Sequence, residues 1–287
     1  MGAAKKNAGE CGAWRKGDLR VGKGKRKAGR EVTPPGKGGG QNLREGSRHV
    51  LASLLVGCPL LVLLGVGPFF RGLFFPGEYL VALAVVFALF AGYYLYASGR
   101  QYERPWRPIE WAGLALAVCY WAASLVAVQP RTAVAEALKY TAYMAVLWLV
   151  ARLAGERRWA FAVAGVLVAS ATGVAILGLG VPAGTFSYTG AFDGGRLSSS
   201  LQYPNTAATY LSAGIILAAG LAAAIMPLAT QVHASAGKAG LTVVTGGLLA
   251  GAIAVMFMAF AFTMSRGGYL VFPPLVLVLI ASLPAGR

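Results

Sequence analysis

The stretch WAFAVAGVLVASATGVAILGLGV, residues 159–181, decides the fold. It runs for 23 residues without a charged side chain. A helix of that length rises about 35 Å, enough to cross a hydrocarbon core of roughly 30 Å. A barrel strand would alternate apolar and polar residues over about ten positions, and this run does not. In lipid every backbone polar group must find its partner within the protein, so a continuous apolar run of this length predicts a transmembrane helix.

Working outward, the same criterion predicts further spans at 50–67, 79–97, 110–128, 133–151, 206–228, 241–263 and 268–283, about eight in all. The last is short and contains Pro273 and Pro274. With 57% hydrophobic and 13% charged residues and a mean hydropathy of +0.62, the chain is too apolar for a soluble domain of 287 residues. The fold class expected is therefore all-α, a polytopic membrane helix bundle over residues 49–287. Residues 1–48 form a second region, a basic, Gly- and Lys-rich tail without apolar periodicity, expected to be disordered.

The net charge of +16 is concentrated in that tail, which holds 13 Lys and Arg against four acids. A basic extension touching anionic membrane lipid accounts for it better than nucleic acid, which is not expected as a partner. Cys11, Cys58 and Cys119 have no metal or disulfide spacing. Assigning the loops alternately to two sides puts 21 basic residues on one side and only Arg71, Arg131, Arg196 and Arg266 on the other, with Lys139 inside a span. The positive-inside bias then places both termini in the cytoplasm and the four sparse arginines on the outer face.

Two polar stretches interrupt the apolar pattern on that outer face, GRLSSSLQYPNT at 195–206 and SRGG at 265–268. Pro204 disfavours helix at Tyr203, and Asn205 or Thr206 can cap the helix that follows. A helix N-terminus beside the guanidinium of Arg196 suits a phosphate. A solvated loop with one arginine is the simpler alternative. In the second stretch, Gly267 and Gly268 supply the flexibility of a tight reversal, and Arg266 either reaches headgroups or faces a bound anion. Arg131, Glu136 and Lys139 form a third group, in which Glu136 and Lys139 share a helix face and either neutralise each other or line the same outer cavity. Gly247 and Gly251 make a small-xxx-small pair, and the alanines of 206–224 allow close helix approach.

His49 and His233 both fall on the cytoplasmic side, so neither serves as a base at an outer site. There is no HExxH, no Cys/His metal spacing and no P-loop, and the outer acids Glu78, Glu136 and Asp193 are scattered. No cofactor or metal is expected.

GGRLSSSLQYPNTAATYL (194–211) resembles the G-R-x-x-G/S-x-x-x-x-P-N-x-x-A-x-x-L stretch of the bacterial O-antigen ligase and O-antigen polymerase superfamily. FTMSRGGYLVF (262–272) resembles that family's S-R-G-A/G segment, and AEALKYTAYMAVLWLVARL (135–153) its preceding helix. The resemblance covers roughly residues 130–280. It implies a metal-independent inverting glycosyltransferase in the bacterial cytoplasmic membrane, moving a glycan from a polyprenyl diphosphate carrier to an acceptor lipid or glycan hydroxyl on the outer face. Arg196 and Arg266 match the motif arginines that hold the diphosphate, with Asn205, Ser265, Lys139 and Arg131 as supporting residues. The family's large extracytoplasmic loop, whose histidine activates the acceptor, follows the S-R-G segment. This chain ends at Arg287, which leads to the expectation of an N-terminal portion that binds a lipid diphosphate without completing transfer, and no catalytic residue is identified in it. A transporter or flippase of lipid-linked sugars is the alternative of a different class, with polar groups expected near the midplane of several spans.

Overall fold

The computed structural model describes residues 39–98, 107–231 and 236–283. The chain divides into Met1–Arg44 and Glu45–Arg287, and the helix bundle belongs to the second of these units. The tail up to residue 38, Arg100, Arg104, His233 and Arg287 lie outside the described residues, and with them most of the region expected to be disordered.

Eight α-helices occur among the described residues: α1 (Gly39–Val66), α2 (Pro76–Ser98), α3 (Pro108–Ser124), α4 (Pro130–Leu153), α5 (Arg157–Gly180), α6 (Pro204–Gln231), α7 (Ala236–Phe262) and α8 (Arg266–Ser282). Apart from the start of α1, each boundary falls within five residues of the one read from the apolar pattern. The helices α2, α3, α4 and α6 open on proline, whose fixed φ and missing N–H suit the first helical position. Five stretches are long and apolar enough to cross a membrane: Pro76–Leu95, Pro130–Leu153, Arg157–Gly180, Pro204–Ile225 and Thr242–Phe262. The apolar parts of α1 (Ser53–Phe69) and α8 are shorter, and α3 has 17 residues, so three of the eight expected spans fall short of that criterion. The architecture is all-α and compatible with a multi-pass membrane protein.

The distribution of exposure has the same physical sense. α8 buries none of its residues, and Leu270 and Leu277 are 78% and 67% exposed. A continuous apolar surface of this kind suits lipid and is untenable in water. Pro273 and Pro274 lie inside α8, where they withdraw the donors that the Tyr269 and Leu270 carbonyls would otherwise receive.

The two largest of four apolar clusters among the described residues hold much of the bundle. One is built by α5, α6 and α7 around Ala171, Ala175, Leu211, Ala218, Met256 and Ala259, and the other by α1, α4 and α5 around Leu60, Leu149 and Trp159. Small side chains set the first spacing, since a Cβ on Gly214 would stand 2.6 Å from the Ala171 Cβ and 3.0 Å from the Met256 Sδ. The alanines of α6 thus act as expected, with Ala207, Ala208 and Ala218 fully buried. Gly247 and Gly251 do not act in this way: both are exposed, and a Cβ at either position would have no neighbour within 4 Å. Against α4, α3 is held by Tyr120 stacked on Tyr140 at 3.5 Å and by Trp121 Nε1 donating to Thr141 Oγ1 at 2.9 Å.

Candidate functional site

The site is assembled from the connection between α5 and α6 and the reversal between α7 and α8. In the first, two short strands, β1 (Phe192–Asp193) and β2 (Arg196–Leu197), form an antiparallel hairpin with Asp193 opposite Arg196. Gly194 and Gly195 make its two-residue turn at φ 55° and 77°, the left-handed pair that matches the twist of such hairpins. Alternation along β2 sends Leu197 into the core, where it is fully buried, and leaves Arg196 half-buried on the opposite face.

The serines that follow are not a solvated surface. Ser198, Ser199 and Ser200 are all buried, the backbone N–H groups of Ser198 and Ser199 both donate to the Ala191 carbonyl, and Ser199 Oγ donates to the Val174 carbonyl at 2.5 Å. Ser199 and Gln202 hold positive φ of 54° and 55°, an unfavourable conformation for residues with a Cβ. The connection between α1 and α2 lies against this loop, with Tyr188 Oη donating to the Phe69 carbonyl at 3.2 Å. The simple solvated loop is thereby replaced by a packed one that fixes the position of Arg196.

Pro204 is the first residue of α6, so Asn205 falls inside the first turn and does not cap the helix. Its side chain instead joins the two motif stretches. Asn205 Oδ1 accepts from Arg196 Nη2 at 3.3 Å and from Ser265 Oγ at 3.0 Å, while Nδ2 donates to Tyr203 Oη at 3.2 Å. Arg196 Nε donates to the Thr263 carbonyl at 3.1 Å. Ser265, 1% exposed, caps α8 by accepting from the Gly268 N–H at 3.1 Å. These bonds use two of the five N–H groups of the Arg196 guanidinium.

The reversal differs from the sequence-based expectation. Met264, not a glycine, takes the left-handed conformation at φ 47°, and Gly267 and Gly268 lie within α8. Gly268 is required for another reason. A Cβ there would meet the Ala208 Cβ at 2.9 Å and the Phe260 ring at 3.1 Å, so its missing side chain lets α8 close onto α6 and α7.

The arrangement therefore brings Arg196, Asn205 and Ser265 into one network, with Arg266 next in sequence and exposed. Two helix N-termini, those of α6 and α8, converge there through the Asn205–Ser265 contact. Partial positive charge from both, added to the Arg196 guanidinium, makes this an anion-attracting point. Among the described residues no three potential metal ligands cluster.

Lys139 and Arg131 stand apart from the network, and no described hydrogen bond or ion pair joins them to it. Lys139 pairs with Glu136 at 2.5 Å and lies 5.0 Å over the Tyr79 ring, the self-neutralising alternative of the two left open by the sequence, while Arg131 is exposed. Sequence reasoning missed the Thr263 carbonyl and the Tyr203 hydroxyl, since a backbone acceptor carries no residue signature. It also missed the pair between Glu110 and Arg152 at 3.8 Å, with side chains 3% and 9% exposed, which ties the start of α3 to the end of α4. The R-P-I-E spacing marks Glu110 as a helix-start residue, with the Arg107 N–H donating to Glu110 Oε2 at 2.6 Å, but carries no signal for Arg152. Comparison of the chain with protein-family models, with curated proteins and with solved structures finds no match.

Proposed function

We propose that the Arg196–Asn205–Ser265 junction holds the diphosphate of a polyprenyl-linked glycan, as the donor-binding part of an O-antigen ligase-like glycosyltransferase of the bacterial cytoplasmic membrane. The N-terminus is cytoplasmic in this reading and the junction faces outward. The observation that carries the proposal is that two stretches 60 residues apart meet through a single asparagine oxygen. That contact brings the remaining N–H donors of Arg196 together with two helix N-termini.

The chemistry asked of such a site is electrostatic. As the acceptor hydroxyl oxygen bonds to the anomeric carbon, the bond to the diphosphate breaks and negative charge grows on the leaving oxygen. The Arg196 guanidinium, held beforehand by Thr263 and Asn205, offsets that charge without reorganising. Arg196 is the fixed donor and Arg266 the exposed one, able to follow the substrate. Lys139, paired with Glu136, and Arg131 stand outside this junction and are given no part in holding the diphosphate. Ligase and polymerase share this donor and differ in the acceptor.

A transporter or flippase is less well supported, because the polar groups gather at helix ends rather than within several spans near the midplane. In the host that encodes the chain, Arg196→Ala is expected to lower glycan transfer about 100-fold, the usual cost of one preorganised donor, with the protein still inserted in the membrane. Unchanged transfer in correctly inserted protein contradicts the proposal.

A further inference from the structure

An apolar groove of about 680 Å³ runs between α5, α6 and α8, lined by Phe161, Ala164, Leu217, Gly220, Leu221 and Leu279 among other apolar residues. It is open on one side rather than enclosed. Along α6 its lining spans Ala213 to Ala224, a rise of about 16 Å, close to the depth of one leaflet. Its nearest residue on α6 lies eight positions from Asn205, about 12 Å further along the helix, so the groove is separate from the Arg196 junction.

One end of the groove reaches Ala160 in the first turn of α5, where the chain turns basic. The Arg157 guanidinium lies 5.4 Å over the ring of Phe161, a groove-lining residue. Arg158 is neutralised by Glu156 at 2.7 Å, and no described carboxylate pairs with Arg157. No side chain caps α5 at Glu156, so the first-turn N–H groups add their partial positive charge at the same end. An apolar slot one leaflet deep with an uncompensated arginine at its mouth is complementary to an acyl chain that carries an anionic headgroup.

We propose that this groove is a binding site for an anionic phospholipid, with one acyl chain between α5, α6 and α8 and the phosphate at Arg157. The site does not depend on the proposed glycan chemistry. The test is native mass spectrometry of the 287-residue chain in detergent, with phosphatidylglycerol and phosphatidylcholine of identical acyl chains supplied equally. The wild type is expected to retain phosphatidylglycerol about fivefold over phosphatidylcholine, the worth of one arginine at an anionic surface. Arg157→Gln brings the two lipids to parity. Gly220→Leu, which places a side chain in the groove where only Leu279 comes within 4 Å, lowers retention of both. Equal retention of the two lipids by the wild type, an unchanged preference in Arg157→Gln, or undiminished phosphatidylglycerol in Gly220→Leu overturns the proposal. The two variants alter different parts of the site, its charged mouth and its apolar wall, so misfolding of one leaves the other decisive.

Discussion

Asn205 makes the contact on which the candidate site depends, because one side-chain oxygen serves both Arg196 and Ser265. Replacing it by Ala removes two acceptor contacts and a donor to Tyr203, leaving the buried Ser265 hydroxyl without this acceptor. Thermal unfolding in detergent is expected to show a loss of about 1–3 kcal/mol, together with release of Arg196 from its fixed position. The three serines before it give a sharper contrast. Ser199 Oγ has a partner in the Val174 carbonyl, whereas Ser200 Oγ is buried with no hydrogen-bond partner in the protein. Ser199→Ala should therefore destabilise by about 1 kcal/mol and Ser200→Ala should be neutral or stabilising, and the reverse order contradicts this account. At this scale the sequence was only partly legible. Arg196, Asn205 and Ser265 stood out because polar residues in an apolar chain are costly, but their mutual contacts depend on a hairpin register and a helix start that spacing alone does not set.

At the scale of the elements, the helices were legible almost throughout, because an apolar run in lipid has one low-energy solution and prolines mark its start. The limits of that reading lie in packing. Glycine spacing pointed to Gly247 and Gly251, whereas close approaches occur at other glycines, Gly214 and Gly268 among them, where a neighbouring helix fills the space. Periodicity records which residues share a face, not which face meets a partner. Gly268→Ala is expected to cost about 1–3 kcal/mol of stability and to disturb the Arg196 junction, since the added methyl must push Ala208 or Phe260 aside. Gly247→Ala should be silent, or slightly stabilising as a helix former. Equal melting temperatures for the two variants contradict the assignment of the α6–α8 contact. Where the start of α3 meets the end of α4, Glu110→Ala removes the carboxylate beside the nearly buried Arg152 charge and is expected to cost about 3 kcal/mol. The double replacement Glu110→Ala with Arg152→Met should cost less than Glu110→Ala alone, which a double-mutant cycle reads directly.

For the whole molecule, charge asymmetry predicts sidedness: Arg107, Arg152, Arg157 and Arg158 gather at the start of α3, the end of α4 and the start of α5, whereas the Arg196 junction follows the far end of α5. Ser187 is exposed in the α5–α6 connection, and the buried Ser199 is not a usable reporter there. A Ser187→Cys variant in intact cells, with Cys11, Cys58 and Cys119 replaced, is expected to react with a membrane-impermeant maleimide added outside; labelling only after lysis reverses the orientation. The central claim, that two distant stretches form one diphosphate site, is tested most directly by binding. The measurement is the affinity of the chain in nanodiscs for a polyprenyl diphosphate, beside the corresponding monophosphate, for the wild type and for Arg196→Ala. The account predicts a preference for the diphosphate that falls at least tenfold in Arg196→Ala, in line with loss of a charge-assisted hydrogen bond. Equal affinity of wild type and Arg196→Ala for the diphosphate contradicts it.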